Sequence, residues 1–324
     1  MVGSFDIRVS RRRGTSYSFT ISRNLTVVRG DSGTGKTTLF EMVVDHTRLG
    51  DRSGVSVKCD RPCVALTDMD WRNQLSSIKE SIVFVDEGLE EISSRDFASA
   101  VKESDNYYVI FTRSELPMLP YSVSEVYRIK TSGKYHTFVP MYKPREGFRY
   151  TLSRAKVSRD FGLLLTEDSR SGLQFFESRF KDDEIECQTA GTSSNVFNWL
   201  VEHPDDCVFV IADGAAFGPY ADRVLKLQQQ RPSQVTVCLP ESFEWLLLKS
   251  GVVRADGLPE LLEDPSAHIE SADFESWEQF FTAVLKKATQ GTPLAYGKGR
   301  LADGYAEKAN ADKVMALIAF RNIR

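Results

Sequence analysis

The stretch Gly30-Asp31-Ser32-Gly33-Thr34-Gly35-Lys36-Thr37 decides the fold of the amino-terminal half of this chain. It matches the G-x-x-x-x-G-K-[ST] phosphate-binding pattern at every fixed position. A β-branched run, residues 24–29, precedes it, and residues 38–45 carry apolar side chains at helical spacing. The sequence therefore predicts a strand, a tight glycine-rich loop and a helix, in that order.

The loop pattern has a specific chemistry. Glycines at positions 30, 33 and 35 allow a turn in which backbone N–H groups converge on phosphate oxygens at the positive end of a helix. Lys36 is expected to reach the β- and γ-phosphates, and the Thr37 hydroxyl to bind Mg²⁺. The alternative is a chance glycine-rich turn capped by Thr37. The residues predicted to bind the nucleotide are Gly30, Asp31, Ser32, Gly33, Thr34, Gly35, Lys36, Thr37 and Thr38.

A second apolar run, residues 81–85, ends in two acids, Asp86 and Glu87. Such a run is typical of a buried parallel strand that delivers carboxylates to a site at its carboxyl end. We expect Asp86 to hold Mg²⁺ through water and Glu87 to act as the general base on an attacking water. These acids indicate hydrolysis of ATP, which is favoured over GTP because no Asn/Thr-Lys-x-Asp guanine motif appears. In the alternative, both acids merely end a strand and begin a turn.

A third apolar run, residues 107–111, ends at Thr112 and Arg113. Together the three runs resemble P-loop ATPases that insert a strand between their two nucleotide motifs. This resemblance assigns sensing of the γ-phosphate to Thr112 or Arg113, with an ordinary surface role for Arg113 as the alternative. Asp68 and Asp70, after a further short strand, are either near the nucleotide or solvated loop acids.

Alternating residues predict two hairpins, one over residues 4–22 and one over residues 125–140. The first hairpin resembles the antiparallel subdomain of transporter-type ATPase heads. The chain lacks the Leu-Ser-Gly-Gly signature of those heads between Lys36 and Asp86. We therefore expect a compact P-loop NTPase domain, built on a parallel sheet, over residues 1–145.

A linker is expected at residues 143–158, which contain proline, glycine and a basic stretch. The basic residues Arg154, Lys156 and Arg159 would form a solvated face or contact nucleic acid. A second domain is predicted over residues 155–324, because strands and helices alternate again there and such alternation favours a parallel, Rossmann-like α/β sheet.

Two strands of this second domain are predicted to end in acids, at Glu167 and at Asp213. Because the carboxyl ends of parallel strands share one edge, both acids are expected in one crevice. The arrangement resembles the Toprim fold, in which a glutamate and an Asp-x-Asp bind Mg²⁺ for phosphodiester chemistry. The resemblance assigns catalytic and metal-binding roles to Glu167 and Asp213. A P-loop ATPase followed by a Toprim-like domain is similar to the overcoming-lysogenization-defect nucleases and related anti-phage proteins.

The sequence departs from this pattern at position 215, where alanine stands in place of the second aspartate. Asp168, Glu241 or Glu244 could supply the missing ligand, since Mg²⁺ commonly takes one or two carboxylates. In the alternative, the strand-end acids cap helices, with Asp168 or Ser169 as an N-cap and Asp213 bonding the amides of residues 214–216.

The carboxyl-terminal segment carries two further features. Residues 274–288 form an amphipathic pattern that predicts a core helix, and residues 309–320 predict a last helix. Between them, Lys298 and Arg300 could face a phosphate backbone, although solvated loop residues are the simpler interpretation.

Composition sets outer bounds on function. The 324 residues are 41% apolar and 27% charged, with a net charge of −4, which gives no global attraction for nucleic acid. The five cysteines form no zinc set and are expected as free thiols. No leader and no membrane-length apolar run is seen, so we expect a cytoplasmic protein without membrane contact. The sequence leaves open whether the protein forms a homo-oligomer.

Three functions are compatible with these patterns. The first is an ATPase coupled to a Toprim-like, Mg²⁺-dependent effector that processes DNA or RNA, in defence against phages or mobile elements. The second is a regulatory ATPase whose degenerate second domain is a non-catalytic interaction module. The third is a P-loop phosphotransferase.

Overall fold

A computed structural model of the chain describes residues 1–12, 14–67, 70–152 and 161–319. Within these residues the protein is mixed α/β, with two sheets rich in parallel strands. The described strands are β1 Phe5–Arg11, β2 Ser16–Ile21, β3 Leu25–Arg29, β4 Val55–Lys58, β5 Cys63–Ala65, β6 Ile82–Val85, β7 Tyr107–Thr112, β8 Val126–Ser132, β9 Tyr135–Pro140, β10 Arg149–Tyr150, β11 Leu163–Thr166, β12 Glu186–Thr189, β13 Val208–Ile211 and β14 Val235–Cys238. The described helices are α1 Lys36–Leu49, α2 Trp71–Ser77, α3 Arg95–Lys102, α4 Ser171–Arg179, α5 Val196–Glu202, α6 Gly218–Gln230, α7 Phe243–Lys249, α8 Leu258–Glu263, α9 Trp277–Thr289 and α10 Lys308–Leu317. Of the predicted features, Asp68, Arg154, Lys156 and Arg159 lie outside the described residues.

The chain forms two compact units. Unit 1 comprises Met1–Met141 and Asp264–Glu275, and unit 2 comprises Tyr142–Glu263 and Ser276–Arg324. The short return of the chain to unit 1 was not expected from the sequence. Backbone hydrogen bonds fasten it there, including one of 2.9 Å from the amide of Gly3 to the carbonyl of Ser266.

Unit 1 is built on a sheet with the strand order β4-β1-β2-β9-β8-β3-β7-β6-β5 among the described residues. Strands β3, β7, β6 and β5 run parallel to one another. Strand β7 lies between β3 and β6, the position predicted for it from the sequence. The two predicted hairpins are present as β1 with β2 and β8 with β9, both antiparallel.

This sheet cannot be flat. Its order places β4 and β5 at opposite ends, yet residues 59–62 connect them directly. A flat sheet of this order would be about 38 Å wide at about 4.8 Å per strand. The five chain steps from Lys58 to Cys63 reach at most about 18 Å. The sheet must therefore curve back on itself and bring its two ends together.

Helix α1 fills the inside of the curve. Its residues Leu39, Met42 and Val43 are at most 1% exposed and share one core with Ile7 of β1 and Phe84 of β6. The helix is also hydrogen-bonded to both ends of the sheet. The ring of His46 contacts the Val55 carbonyl of β4 at 3.3 Å, and the amide of Ala65 in β5 donates to the Thr47 hydroxyl at 3.0 Å.

Unit 2 contains a smaller sheet with the described order β10-β14-β13-β11-β12. Strands β14, β13, β11 and β12 are parallel, as the alternation of strands and helices predicted, and β10 is antiparallel to β14. Strands β11 and β13 are direct neighbours, with Thr166 opposite Ile211 at their carboxyl ends. The residues that follow these two strands therefore emerge side by side.

Candidate functional site

The glycine-rich loop of unit 1 connects β3 to α1. Gly35, the residue before the helix, has φ of +95°, a conformation that side chains disfavour. A Cβ atom at this position would lie 2.8 Å from the hydroxyl oxygen of Tyr17. That hydroxyl donates a hydrogen bond of 2.9 Å to the Gly35 carbonyl. Tyr17 therefore supports the loop through this hydrogen bond. This role was not predicted from the sequence.

The side chain of Lys36 lies inside the loop. Its ammonium donates hydrogen bonds to the carbonyls of Gly30 and Asp31, the latter at 3.1 Å, and the residue is 5% exposed. Burial lowers the pKa of Lys36, and the negative charge of Glu87 opposes this change. The ammonium is thus held at the centre of the loop, where the negative charges of Asp86 and Glu87 act on it.

The loop forms one wall of a cavity of about 340 Å³. Eight of the nine predicted nucleotide-binding residues line this cavity, and the ninth, Gly30, contributes the carbonyl that holds Lys36. The cavity is also lined by Arg113 and by His136, and the His136 ring stacks on Tyr17 at a centroid distance of 4.5 Å. The volume falls in the range typical of small-molecule sites.

The acids predicted after β6 lie near this loop but differ in their contacts. Asp86 is half-buried, accepts a hydrogen bond of 3.4 Å from the amide of Gly88, and lines an adjacent cavity of about 400 Å³. Burial raises the pKa of Asp86, and the neighbouring charge of Glu87 adds to the effect. A nearby cation would stabilise the charged form of such a carboxylate and lower its pKa.

Glu87 and Arg113 contact each other. The Arg113 guanidinium lies 2.7 Å from Oε1 of Glu87, and the Arg113 amide donates to Oε2 at 3.1 Å. Two residues that the sequence predicted separately, as general base and as γ-phosphate sensor, therefore form one pair. Thr112, the other sensor candidate, is 2% exposed and exchanges hydrogen bonds with Ser114. Asp70 is exposed before α2 and accepts a hydrogen bond from Asn73.

Unit 2 contains a second group of acids. Glu167 follows β11 and Asp213 lies two residues after β13, so both reach the same edge of the sheet. Both line a cavity of about 30 Å³, together with Asp168, Glu244 and Lys298. The Glu167 carboxylate accepts a hydrogen bond of 2.7 Å from the Ser193 hydroxyl.

Asp213, in the segment after β13, forms a cluster with two acids that lie on helices. One carboxylate oxygen each from Asp213, Glu244 of α7 and Glu278 of α9 lie within 4.8 Å of one another. Glu244 was among the candidates for the missing ligand, whereas Glu278 was not predicted. The amphipathic pattern of α9 identified its apolar stripe, and nothing in the spacing distinguishes Glu278 from a solvated acid.

Asp213 does bond the N-terminus of a helix, as the capping alternative proposed, but not through the amides of residues 214–216. Its carboxylate accepts a hydrogen bond of 3.0 Å from the amide of Phe243, at the start of α7, while the amide of Gly214 donates to the Pro240 carbonyl and that of Ala215 to the Glu241 carbonyl. Ala215 is 2% exposed, so its side chain is buried beside the site.

The charges of this cluster are strongly coupled. Burial raises the pKa of Asp213 well above its ordinary value, and the charges of Glu167, Glu278 and Glu244 add to the effect. Burial likewise raises the pKa of Glu167 to about 8. Carboxylates so crowded favour either shared protons or a cation among them.

Lys298 is one such cation. Its ammonium contacts Glu278 and lies 3.8 Å from Oε1 of Glu244. Burial alone would lower the pKa of Lys298, but the hydrogen bond to Glu278 and the charge of Glu244 raise it. Tyr296 completes the network by donating to Glu244 at 2.7 Å. Lys298 was predicted either to be solvated or to face a phosphate backbone. It contacts carboxylates instead.

The donor set fits a divalent cation. Carboxylate oxygens are the ligands that Mg²⁺ prefers, and Asp213, Glu244 and Glu278 present three within short range of one another. In unit 1, the Thr37 hydroxyl at the start of α1 and the half-buried Asp86 provide a hydroxyl and a carboxylate of the kind that the loop pattern pairs with this ion.

Comparisons with known proteins gave no match: a scan against protein-family models, a search of curated proteins and a search of solved structures each returned none. In the described part of the chain, every helix is too short or too polar to cross a bilayer.

We predict that the free energy of unfolding falls as pH rises from about 4.5 to about 8. The raised pKa of Glu167, from 4.5 to about 8, means that the folded chain retains a proton that the unfolded chain releases in this window. The expected loss is on the order of 2 kcal/mol, since each pKa unit is worth about 1.4 kcal/mol and partial solvation reduces the shift. Urea unfolding at several pH values measures it.

The matched control is the exposed acid Glu177 on α4. Glu167→Gln should reduce the pH dependence in this window and leave the part that the raised pKa of Asp213 contributes, whereas Glu177→Gln should leave it unchanged. An equal slope in Glu167→Gln and the unmodified chain would show that Glu167 titrates normally.

Proposed function

We propose that unit 1 binds ATP in the cavity beside the Gly30 loop and hydrolyses it. The loop supports this proposal most directly, because a buried lysine, positive-φ glycines and a helix N-terminus converge where the sequence pattern places a triphosphate. Asp86 and Glu87 follow β6, which lies two strands from β3 in the parallel part of the same sheet.

Each residue has a role in this reaction. The loop amides would bind the phosphate oxygens, and the Lys36 ammonium would exchange its loop carbonyls for the β- and γ-phosphates. Thr37 and Asp86 would hold Mg²⁺, which neutralises charge on the phosphates when bound. Glu87 would accept a proton from the attacking water.

Arg113 gives this mechanism a control point. Its guanidinium pairs with Glu87 and also borders the cavity. A γ-phosphate oxygen would compete for the guanidinium, and its capture would free the Glu87 carboxylate to act as a base. Hydrolysis would then require the triphosphate to be fully seated.

Unit 2 is proposed to be a Toprim-like effector that acts on phosphodiester bonds of DNA or RNA, as in anti-phage ATPases of this arrangement. Asp213, Glu244, Glu278 and Glu167 would hold Mg²⁺, which binds a phosphate oxygen and activates water when present. Lys298 balances part of their charge and would have to yield part of its contact to a bound ion.

A non-catalytic role for unit 2 is the second candidate. Alanine at position 215 removes an acid of the Toprim pattern, and Lys298 already satisfies two of the remaining carboxylates. Under this alternative the unit would serve as an interaction module for a protein or an RNA.

The ATPase proposal predicts that Lys36→Ala lowers ATP turnover at least about 100-fold, because the transition state loses its main cationic contact. Glu87→Gln should lower turnover by about 10² to 10⁴-fold while nucleotide affinity is retained, since only the proton acceptor is lost. A coupled phosphate-release assay measures both. Lys58→Ala, at an exposed site on β4, is the control and should be active. Normal turnover in Lys36→Ala would refute the proposal.

The effector proposal predicts Mg²⁺-dependent nicking of a supercoiled plasmid or cleavage of an RNA. Glu167→Ala and Asp213→Ala should abolish cleavage without lowering ATP turnover, because the two cavities lie in different units. The exposed Glu177→Ala should cleave normally. Full cleavage by both acid variants would exclude these residues as the site. No cleavage by the unmodified chain, together with a stable macromolecular partner, would select the interaction module.

A further inference from the structure

The outer side of the curved sheet in unit 1 faces away from α1. In strands β1, β2, β9 and β8, side chains alternate between more buried and more exposed positions. The inward set includes Phe19 and Phe138, whose rings stack at a centroid distance of 3.8 Å in the core that also contains Leu39 of α1. The exposed set of these four strands therefore forms one face in contact with solvent.

This face carries more positive than negative charge. The chain as a whole has 45 acids and 41 lysines and arginines, so an average solvated surface would carry slightly more acid. The four strands contain a single acid, Asp6, and its carboxylate accepts a hydrogen bond of 2.5 Å from the Thr20 hydroxyl. Their cations are Arg8, Arg11, Arg128 and Lys130. The face is thus a local basic surface on a chain of net charge −4.

Three of these cations have no partner in the part of the chain that the structure describes. The Arg11 guanidinium, at the end of β1, pairs with Asp45 at 2.8 Å. By contrast, Arg8, Arg128 and Lys130 are exposed and make neither an ion pair nor a side-chain hydrogen bond with any described residue. Their positive charge is therefore available to an external anion.

The cations are spread across the sheet. The strand register places Arg8 opposite Ser18 and Lys130 opposite Thr137, and β2 and β9 are neighbours, so these residues form a row across four strands. Arg128 lies two residues before Lys130 on the same side of β8. The row spans three strand spacings, or about 14 Å. This spread fits an extended polyanion better than a single phosphate group.

We propose that this face, defined by Arg8, Ser18, Arg128, Lys130 and Thr137, binds the phosphate backbone of a nucleic-acid duplex. The three cations would pair with phosphate oxygens, and the two hydroxyls would donate hydrogen bonds to them. A DNA duplex carries one negative charge per about 1.7 Å of its axis, so several phosphates come within reach of a row of this length. Because all contacts are to the backbone, binding is expected to be independent of base sequence.

The aromatic residues of the face favour a duplex over a single strand. Proteins bind single strands largely by stacking bases on aromatic rings. Within these four strands Tyr135 is the one exposed tyrosine or phenylalanine, and the Lys134 ammonium lies 5.5 Å from the centre of its ring. That ring is therefore already in contact with a cation, and these strands offer no series of rings for successive bases.

The basic face and the nucleotide cavity lie on opposite sides of the hairpin of β8 and β9. Thr131 and His136 line the cavity, and His136 stacks on the buried Tyr17. Lys130 and Thr137 are their chain neighbours on the outer side. ATP should therefore not displace the duplex. The proposed binding needs neither ATP nor Mg²⁺, so it can be tested whether or not the two proposed activities are found.

The test is a titration of a fluorescently labelled DNA duplex of about 30 base pairs with the intact chain, followed by fluorescence anisotropy, in EDTA and without nucleotide. We expect the logarithm of the binding constant to fall with the logarithm of the salt concentration with a slope of about −2.7, because three phosphate contacts each contribute about −0.9. A single strand of the same length, poly-glutamate and millimolar ATP should each compete much less well than unlabelled duplex.

Removal of the three cations locates the contact. The triple variant Arg8→Gln, Arg128→Gln, Lys130→Gln should bind the duplex at least about 10-fold more weakly, with a salt slope close to zero, because its phosphate contacts are lost. All three side chains are exposed, so the variant should fold normally, which circular dichroism and thermal unfolding check.

The control variant removes the same charge elsewhere. Arg95→Gln, Lys286→Gln, Lys287→Gln changes exposed residues of α3 and α9 and should bind the duplex as the unmodified chain does. The proposal is overturned if the unmodified chain does not bind the duplex at low salt, or if both triple variants lose the same affinity. It is also overturned if the single strand, poly-glutamate or ATP competes as well as unlabelled duplex.

Discussion

The enclosure of α1 by the curved sheet is the constraint on which unit 1 depends. Leu39, Met42 and Val43 each contribute roughly 1.5–3 kcal/mol by burial, and they contact strands from both ends of the sheet order. The direct connection from β4 to β5 leaves no room for a flat alternative. Since Leu39, Met42 and Val43 anchor one face of α1 in this core, its first residue, Lys36, has a fixed place, and the glycine-rich loop folds around the ammonium.

The same constraint explains why charged residues concentrate at one edge of the sheet. Burying Lys36 is costly unless its ammonium is hydrogen-bonded, and the carbonyls of Gly30 and Asp31 meet this need. Neighbouring parallel strands bring Glu87 and Arg113 to the same edge, where they pair. The edge therefore combines a held cation, a carboxylate and an arginine, which are the groups that the proposed phosphate chemistry would use.

Much of this architecture follows from patterns in the chain. Long apolar runs predicted β3, β6, β7, β11 and β13, and alternation predicted both hairpins, because periodicity reports burial directly. Short elements such as β10 and α8 were missed, since two to six residues hold too little periodic signal. The curvature of the sheet was also missed, because it depends on pairing between strands distant in sequence.

The candidate sites were predictable to different degrees. The loop residues of unit 1 form a contiguous motif, so the sequence was sufficient to name them. In unit 2, Glu167 and Asp213 could be named as strand-end acids, but Glu278 and Lys298 arrive from α9 and the segment after it, and their contacts depend on tertiary packing. The pairing of Glu87 with Arg113 is of the same kind, since 26 positions separate the two residues.

Isothermal titration calorimetry of the purified chain with ATP, in the presence and absence of Mg²⁺, tests the central claim most directly. If the loop around Lys36 is a triphosphate site, ATP should bind with one site per chain, more tightly with Mg²⁺, and adenosine lacking phosphates should bind far more weakly. Absence of any heat of binding at millimolar ATP, or equal affinity for ATP and adenosine, would contradict the assignment of the loop.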